Sequence, residues 1–135
     1  MVWKRIAGTT VLVSGLTGCG VGGHAGPAHV DAHIYHLIAE GHYHRVAHHI
    51  NFGAAVTHGT HSQQIEAHDK INALLAHLHG SFRKQGGLRR VTVLSRSVQG
   101  DKATIKVKLA FGNGQTQLSE DSLIRKNGRW LLVVD

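Results

Sequence analysis

The chain has 135 residues, a formal net charge of +7 with histidine neutral, 5% aromatic residues and a single cysteine. That length admits one domain with one modest core, and a lone cysteine excludes an intramolecular disulfide framework. Composition departs from the ordinary in two respects, thirteen histidines and one proline.

Charge is distributed unevenly. Between Gly20 and His79 the fixed charges are Arg45 and Lys70 against Asp31, Glu40, Glu66 and Asp69, whereas eleven Lys or Arg and four acids follow His79. A basic half suits nucleic acid, anionic headgroups or acidic ligands, and charge alone does not choose among them.

The first residues read as an export signal over 1–18. Lys4 and Arg5 supply the positive start, Ile6 to Gly15 a short apolar-to-small run, and Leu16-Thr17-Gly18-Cys19 a small-residue ending. The run is well short of the ~20 residues that cross a bilayer. Leu16-Thr17-Gly18-Cys19 resembles the bacterial lipobox, which implies cleavage before Cys19 and a thioether-linked diacylglycerol on its sulfur. Acyl chains acting together anchor stably, at ~0.8 kcal/mol per buried methylene. Gly20 would be the second mature residue, which by the sorting habit of Gram-negative lipoproteins implies the outer membrane, facing the periplasm. Residues 19–27 are glycine-rich and read as a flexible tether, leaving 28–135 as one domain.

In that domain, Val30, Ile34, Leu37 and Ile38 recur with helical spacing, and Gly41 is a natural stop. Tyr43, Val46, Ala47 and Ile50 predict a second, shorter helix. Ile71, Leu74, Leu75, Leu78 and Phe82 predict a long third one, from near Ser62 to before Gly86-Gly87. The stretch 51–60 carries no clear pattern. After Leu88 the period becomes two: Ala103, Ile105, Val107, Leu109 and Phe111 alternate with Lys102, Thr104, Lys106, Lys108 and Ala110. Turn signals at Gln99-Gly100-Asp101, Gly112-Asn113-Gly114 and Asn127-Gly128 predict four antiparallel strands, about 89–98, 102–111, 115–126 and 129–134. Helices followed by a meander predict an α+β fold, with helices on one face of a curved four-stranded antiparallel sheet.

Three stretches together resemble the nuclear transport factor 2-like superfamily: Ala39 to Ala47 around Gly41-His42-Tyr43, Gln85-Gly86-Gly87-Leu88 leading into Val91, Val93 and Leu94, and Gly100 to Val107 with Asn127-Gly128-Arg129-Trp130. The set is similar to a bacterial lipoprotein family known as a domain of unknown function, related to cystatin-like and lumazine-binding-like folds. It departs from that family in carrying His42, His44, His48 and His49 where acids and lysines are usual. The resemblance implies a cone whose open end can hold a pocket, and relatives of this fold include isomerases, dehydratases and epoxide hydrolases. Shared turn and core residues inform fold far better than function.

All thirteen histidines lie between His24 and His79. His29, His33 and His36 share a helix face, and His44 and His48 are an i, i+4 pair. These five are the candidate ligands for zinc, copper or nickel, since imidazole is the commonest metal-ligating side chain. A solvated helix surface explains the same residues, and no His-Glu-x-x-His pattern is present. Catalysis has thinner support. Among Asp31, Glu40, Glu66 and Asp69 no pair stands out by spacing, while Tyr35, Tyr43 and His36 are positioned to line a cone-end pocket or simply the core edge. Export and the lack of stacking aromatics argue against nucleic acid. The expectation is therefore a non-catalytic, membrane-anchored envelope lipoprotein that binds a small ligand or an envelope protein. The alternatives are a small-molecule enzyme of the isomerase or hydrolase kind, and histidine-mediated metal binding.

Overall fold

Helix α1, Pro27–Ala39, starts with proline in its first turn, where the missing N–H costs nothing. Its apolar stripe buries Val30, Ile34, Leu37 and Ile38. Gly41, at φ 78°, ends it: the Gly41 amide donates to the Ile38 carbonyl at 3.1 Å and the His42 amide to that of Leu37 at 2.9 Å. The computed structural model describes residues 26–134, so the signal segment, Cys19 and nearly all of the tether lie outside the described residues.

The remaining elements follow in order: α2 Tyr43–Ala47, β1 Ile50–Asn51, α3 Ala54–Thr57, α4 His61–Lys84, β2 Leu88–Gln99, β3 Lys102–Phe111, β4 Thr116–Lys126 and β5 Arg129–Val133. Thr60 and Gln63 form a reciprocal capping box that starts α4. The strands that were expected fall within a residue of their predicted bounds. Asn127 and Gly128, at φ 53° and 76°, make the left-handed two-residue turn that matches sheet twist.

Two expectations need correction. The sheet has five strands in the order β1-β5-β4-β3-β2, and β1 runs parallel to β5, pairing Ile50 with Leu132 and Asn51 with Val133. Ile50 therefore belongs to a strand and not to a second helix. It is buried either way, and its period-3.6 spacing from Val46 coincides with the parity a strand start requires. The unpatterned stretch holds the single turn α3. The fold is thus α+β with a mixed sheet, not a wholly antiparallel one.

Registers assign the faces. Ile105, Val107 and Leu109 of β3 are fully buried, so their partners Asp121, Ser119 and Gln117 of β4 share the inner face under the helices. On β2 the pairings put Val93, Arg96 and Val98 on that same face. Among the described residues no helix is long and apolar enough to cross a membrane.

The passage from α4 to the sheet brings two backbones into close contact. The Asn113 amide donates to the Gln85 carbonyl at 2.8 Å and the Gly112 amide to that of Gly87 at 2.9 Å. A Cβ built on Gly112 would stand 2.2 Å from the Gly86 carbonyl oxygen. Gly112→Ala must push the β3–β4 turn off the helix end, and its urea midpoint is expected to drop by the equivalent of about 2 kcal/mol or more. A wild-type midpoint in that variant would contradict the packing described.

Candidate functional site

The apolar stripe of α1 is interrupted on its buried side by two polar groups one turn apart, Asp31 and Tyr35, which are 1% and 2% exposed. Both face the inner side of β4, where Ser119 and Asp121 are buried to the same degree. The Tyr35 hydroxyl donates to Asp121 Oδ2 at 2.5 Å and stands 3.0 Å from Ser119 Oγ, which in turn lies 3.3 Å from Asp121 Oδ1. A phenol has one proton to give. The charged oxygen is its better acceptor, which leaves the Ser119 hydroxyl as donor toward Tyr35 or Asp121.

Asp31 completes the group. Neither of its carboxyl oxygens meets an N–H or O–H donor, and the carboxyl of Asp121 faces it. Two ionised carboxylates side by side in a dry interior are untenable. Burial first, then the charge of Asp121, push Asp31 up to about 10, and as a neutral acid it donates to Asp121. Asp121 is also raised by burial, but its hydrogen bonds from Asp31, Tyr35 and Ser119 work in the opposite direction. Tyr35 is driven well above the ordinary phenol value by burial, then by the charges of Asp121 and Asp31. The pair holds one proton between two carboxyls at neutral pH, a state that belongs to both residues together.

On the inner face a cross-strand row runs from Arg96 of β2 through Ile105 of β3 to Asp121. Arg96 is exposed, and its Nη1 approaches the Gly26 backbone at the foot of α1, 4.0 Å from where a Cβ would stand. Val98, one step along β2 on the same face, is 47% exposed. The sheet's inner face is therefore uncovered at the β2 end beside the first turn of α1. Asp121 lies two strands further in, beyond the fully buried Ile105 of β3.

Of the residues proposed to line a pocket, Tyr35 is inside and at the centre of this group. His36 is exposed and takes no part. Tyr43 packs half-buried against the His79 ring, centroids 5.9 Å apart. His79 is itself held by donating Nδ1–H to the Ile38 carbonyl at 2.9 Å. Glu66 pairs with Lys70 at 3.0 Å on the outside of α4, near Asp69, away from the sheet.

Four of the five proposed metal ligands form two pairs, and the fifth, His36, is exposed on α1. His29 and His33 stack at 6.4 Å between centroids, and His44 and His48 meet edge-on at 5.0 Å. Among the described residues no three histidine, cysteine, aspartate or glutamate side chains are grouped to hold a metal ion, so zinc, copper or nickel would find two imidazoles at a time.

No family's sequence model matches the chain, and no curated protein matches it. Solved structures do. A Campylobacter jejuni protein described as an NTF2-like transpeptidase superposes with a TM-score of 0.75 over 82% of this chain and 100% of its own, at 21% identity. A SEC-C motif-containing protein from Rhodopseudomonas palustris superposes with a TM-score of 0.50, covering 81% of this chain and 79% of its own, at 16% identity. At such identities the likeness shows the nuclear transport factor 2-like fold and nothing of activity.

The shared proton makes stability depend on pH with a definite sign. Asp31 is raised from 3.8 to about 10 on folding. The native state therefore binds the extra proton between those values, and stability falls as pH rises. Between about pH 7 and 9 the unfolding free energy should decline by up to about 1.4 kcal/mol per pH unit. Asp31→Asn, which keeps a donor toward Asp121 but cannot ionise, should flatten that decline and exceed the wild type at about pH 9. Urea titrations of both chains across the interval check this, and equal slopes would remove the buried acid pair.

Proposed function

We propose that the chain is a membrane-anchored envelope lipoprotein whose cone binds a small ligand through the Asp31–Tyr35–Ser119–Asp121 group. The observation that carries the reading is the convergence of two carboxyls and a phenol at one point of an otherwise apolar interior. Binding sites have this composition: mostly apolar walls with a few placed polar groups. The protons of Asp31 and Tyr35 are both given to Asp121, so the ligand group that suits them is a carbonyl oxygen that takes the place of Asp121 as acceptor of one of the two. Arg96 at the uncovered β2 end adds a preference for an acidic substituent, and Val98 adds an apolar wall. Anchoring rests on the sequence before the domain: the charged start, the short apolar run and Leu16-Thr17-Gly18-Cys19. Resemblance to the lipoprotein domain of unknown function agrees with it.

Acid–base catalysis in the same place is the second reading. It is favoured by Asp31 holding a proton near neutrality beside an ionised Asp121, a division of acid and base between two like groups. That reading requires turnover of a carbonyl substrate, and Asp31→Asn to lose kcat while KM stays.

Two measurements test the first reading. In bacteria fed an alkynyl fatty acid, the wild-type chain should take up the label and sediment with membranes, while Cys19→Ser should be unlabelled and lose its membrane association. Equal partitioning and processing of the two chains would end the anchor. For the pocket, benzoate and acetophenone titrated into the protein should shift amide resonances of α1 and β4. Tyr35→Phe should weaken that binding about tenfold, the worth of one hydrogen bond. Resonances of α1 and β4 unmoved by either probe would end the pocket.

A further inference from the structure

Five imidazoles lie in two groups at the corner where α1, α2 and the start of β1 meet. His29 and His33 stack on α1 at 6.4 Å and His33 meets His49 edge-on at 5.5 Å, while His48, next in sequence to His49, meets His44 at 5.0 Å. Two guanidiniums accompany them. Arg45 is exposed on α2, and Arg129 of β5 donates from Nη2 to the His48 carbonyl at 3.2 Å.

The groups acting on His49 are His33 from α1, Arg45 and His48 from α2 and its cap, and Arg129 from β5, and none of them is an anion. Glu40, the exposed carboxylate at the end of α1, is engaged by His42 at 3.2 Å. Burial first, and then these like charges, lower the His49 imidazole from its ordinary value. Gathering like charges gains a fold nothing by itself, because their mutual repulsion opposes the compact state. An anion placed over the corner would relieve it.

We propose that this histidine–arginine corner is a membrane-contact surface that grips anionic lipid headgroups as the pH falls below neutral. Charge complementarity is the first argument. Headgroup phosphates accept charge-assisted hydrogen bonds from imidazolium and guanidinium alike. An imidazole gains its charge as pH drops through about 6.5, and each cation near an anionic leaflet strengthens attachment. Reach is the second. Helix α1 begins at Pro27, and the chain from Cys19 to Pro27, at roughly 3.5 Å per residue, extends no further than about 28 Å. An acylated Cys19 would therefore hold Pro27 within that distance of the headgroup layer, with His29 and His33 in the first two turns that follow. The choice of lipid as occupant rests on the anchoring reading above.

The test uses the full chain carrying Cys19→Ser, so that acyl chains play no part. It is sedimented with vesicles of phosphatidylcholine alone, or with about 30% phosphatidylglycerol, at about pH 5.5 and 7.5. Partitioning onto the anionic vesicles should rise about tenfold at the lower pH, with little change on the neutral ones. His33→Gln, His44→Gln and His48→Gln combined should remove that rise. Lys4, Arg5 and the signal's apolar run are shared by both chains and cancel in the comparison. Arg45→Gln with Arg129→Gln should instead weaken binding at both pH values while keeping their ratio. Identical pH ratios in the wild-type-corner and triple-histidine chains would overturn the proposal. So would inorganic phosphate shifting the imidazole resonances with no gain on anionic vesicles, which would assign the corner to a free anion. Failure of fatty acylation would be seen separately, in the labelling of Cys19, and would leave this comparison readable.

Discussion

Two carboxyl groups lie between helix α1 and strand β4, and a dry interior does not permit both to be charged. With one proton held between them, repulsion becomes a hydrogen bond, and Asp121 becomes the acceptor on which Asp31, Tyr35 and Ser119 all converge. The same helix face supplies Val30, Ile34, Leu37 and Ile38 to the core. Docking α1 and keeping that proton are therefore one event. An ion buried without such compensation costs several kcal/mol, a large part of what a domain of this size has in reserve.

Helix α1 meets a second titrating environment on its exposed flank, with the opposite sign. His49, which faces His33, is lowered from its ordinary value. The native state thus binds fewer protons there than the unfolded one, and stability is lost as pH falls below the imidazole range. The acid pair loses its proton in alkali, while the histidine corner gains charge in acid. Both press on one helix, and because the acid pair already loses stability as pH rises above the imidazole range, the best stability lies no higher than that range.

Much of the fold is legible in period and turn chemistry. Alternation from Ala103 to Phe111 gives β3 its bounds, and Gly41 and Gly86 mark helix ends through left-handed positions that disfavour other residues. Strand β1 is not legible, because two residues carry no period. Its place depends on Leu132 donating to the His49 carbonyl at 2.7 Å, a contact with a segment distant in the chain. The site was half visible. Asp31 falls inside the apolar stripe four residues before Tyr35, a polar pair on a buried face. Ser119 and Asp121 share the parity of buried Leu123 on β4. Local spacing among Asp31, Glu40, Glu66 and Asp69 finds no partner for Asp31, because the partner comes from the other end of the domain through sheet register.

Stability gives no reason for the polar group to exist. Replacing a buried ionic set by apolar side chains of similar volume is often neutral or stabilising, and Val107, Ile105 and Leu109 beside it show that this interior accommodates aliphatic packing. Tyr35, Ser119 and Asp31 all turn to Asp121, and the core demand that Asp121 meets is the Tyr35 hydroxyl, which a phenylalanine in that place would not make. A cluster that fold energetics do not call for, set two strands in from an uncovered stretch of the inner face, is the observation on which the ligand-binding proposal rests. The histidine corner is the counterpart on the outside, where imidazoles and guanidiniums are gathered and none of the groups acting on His49 is an anion.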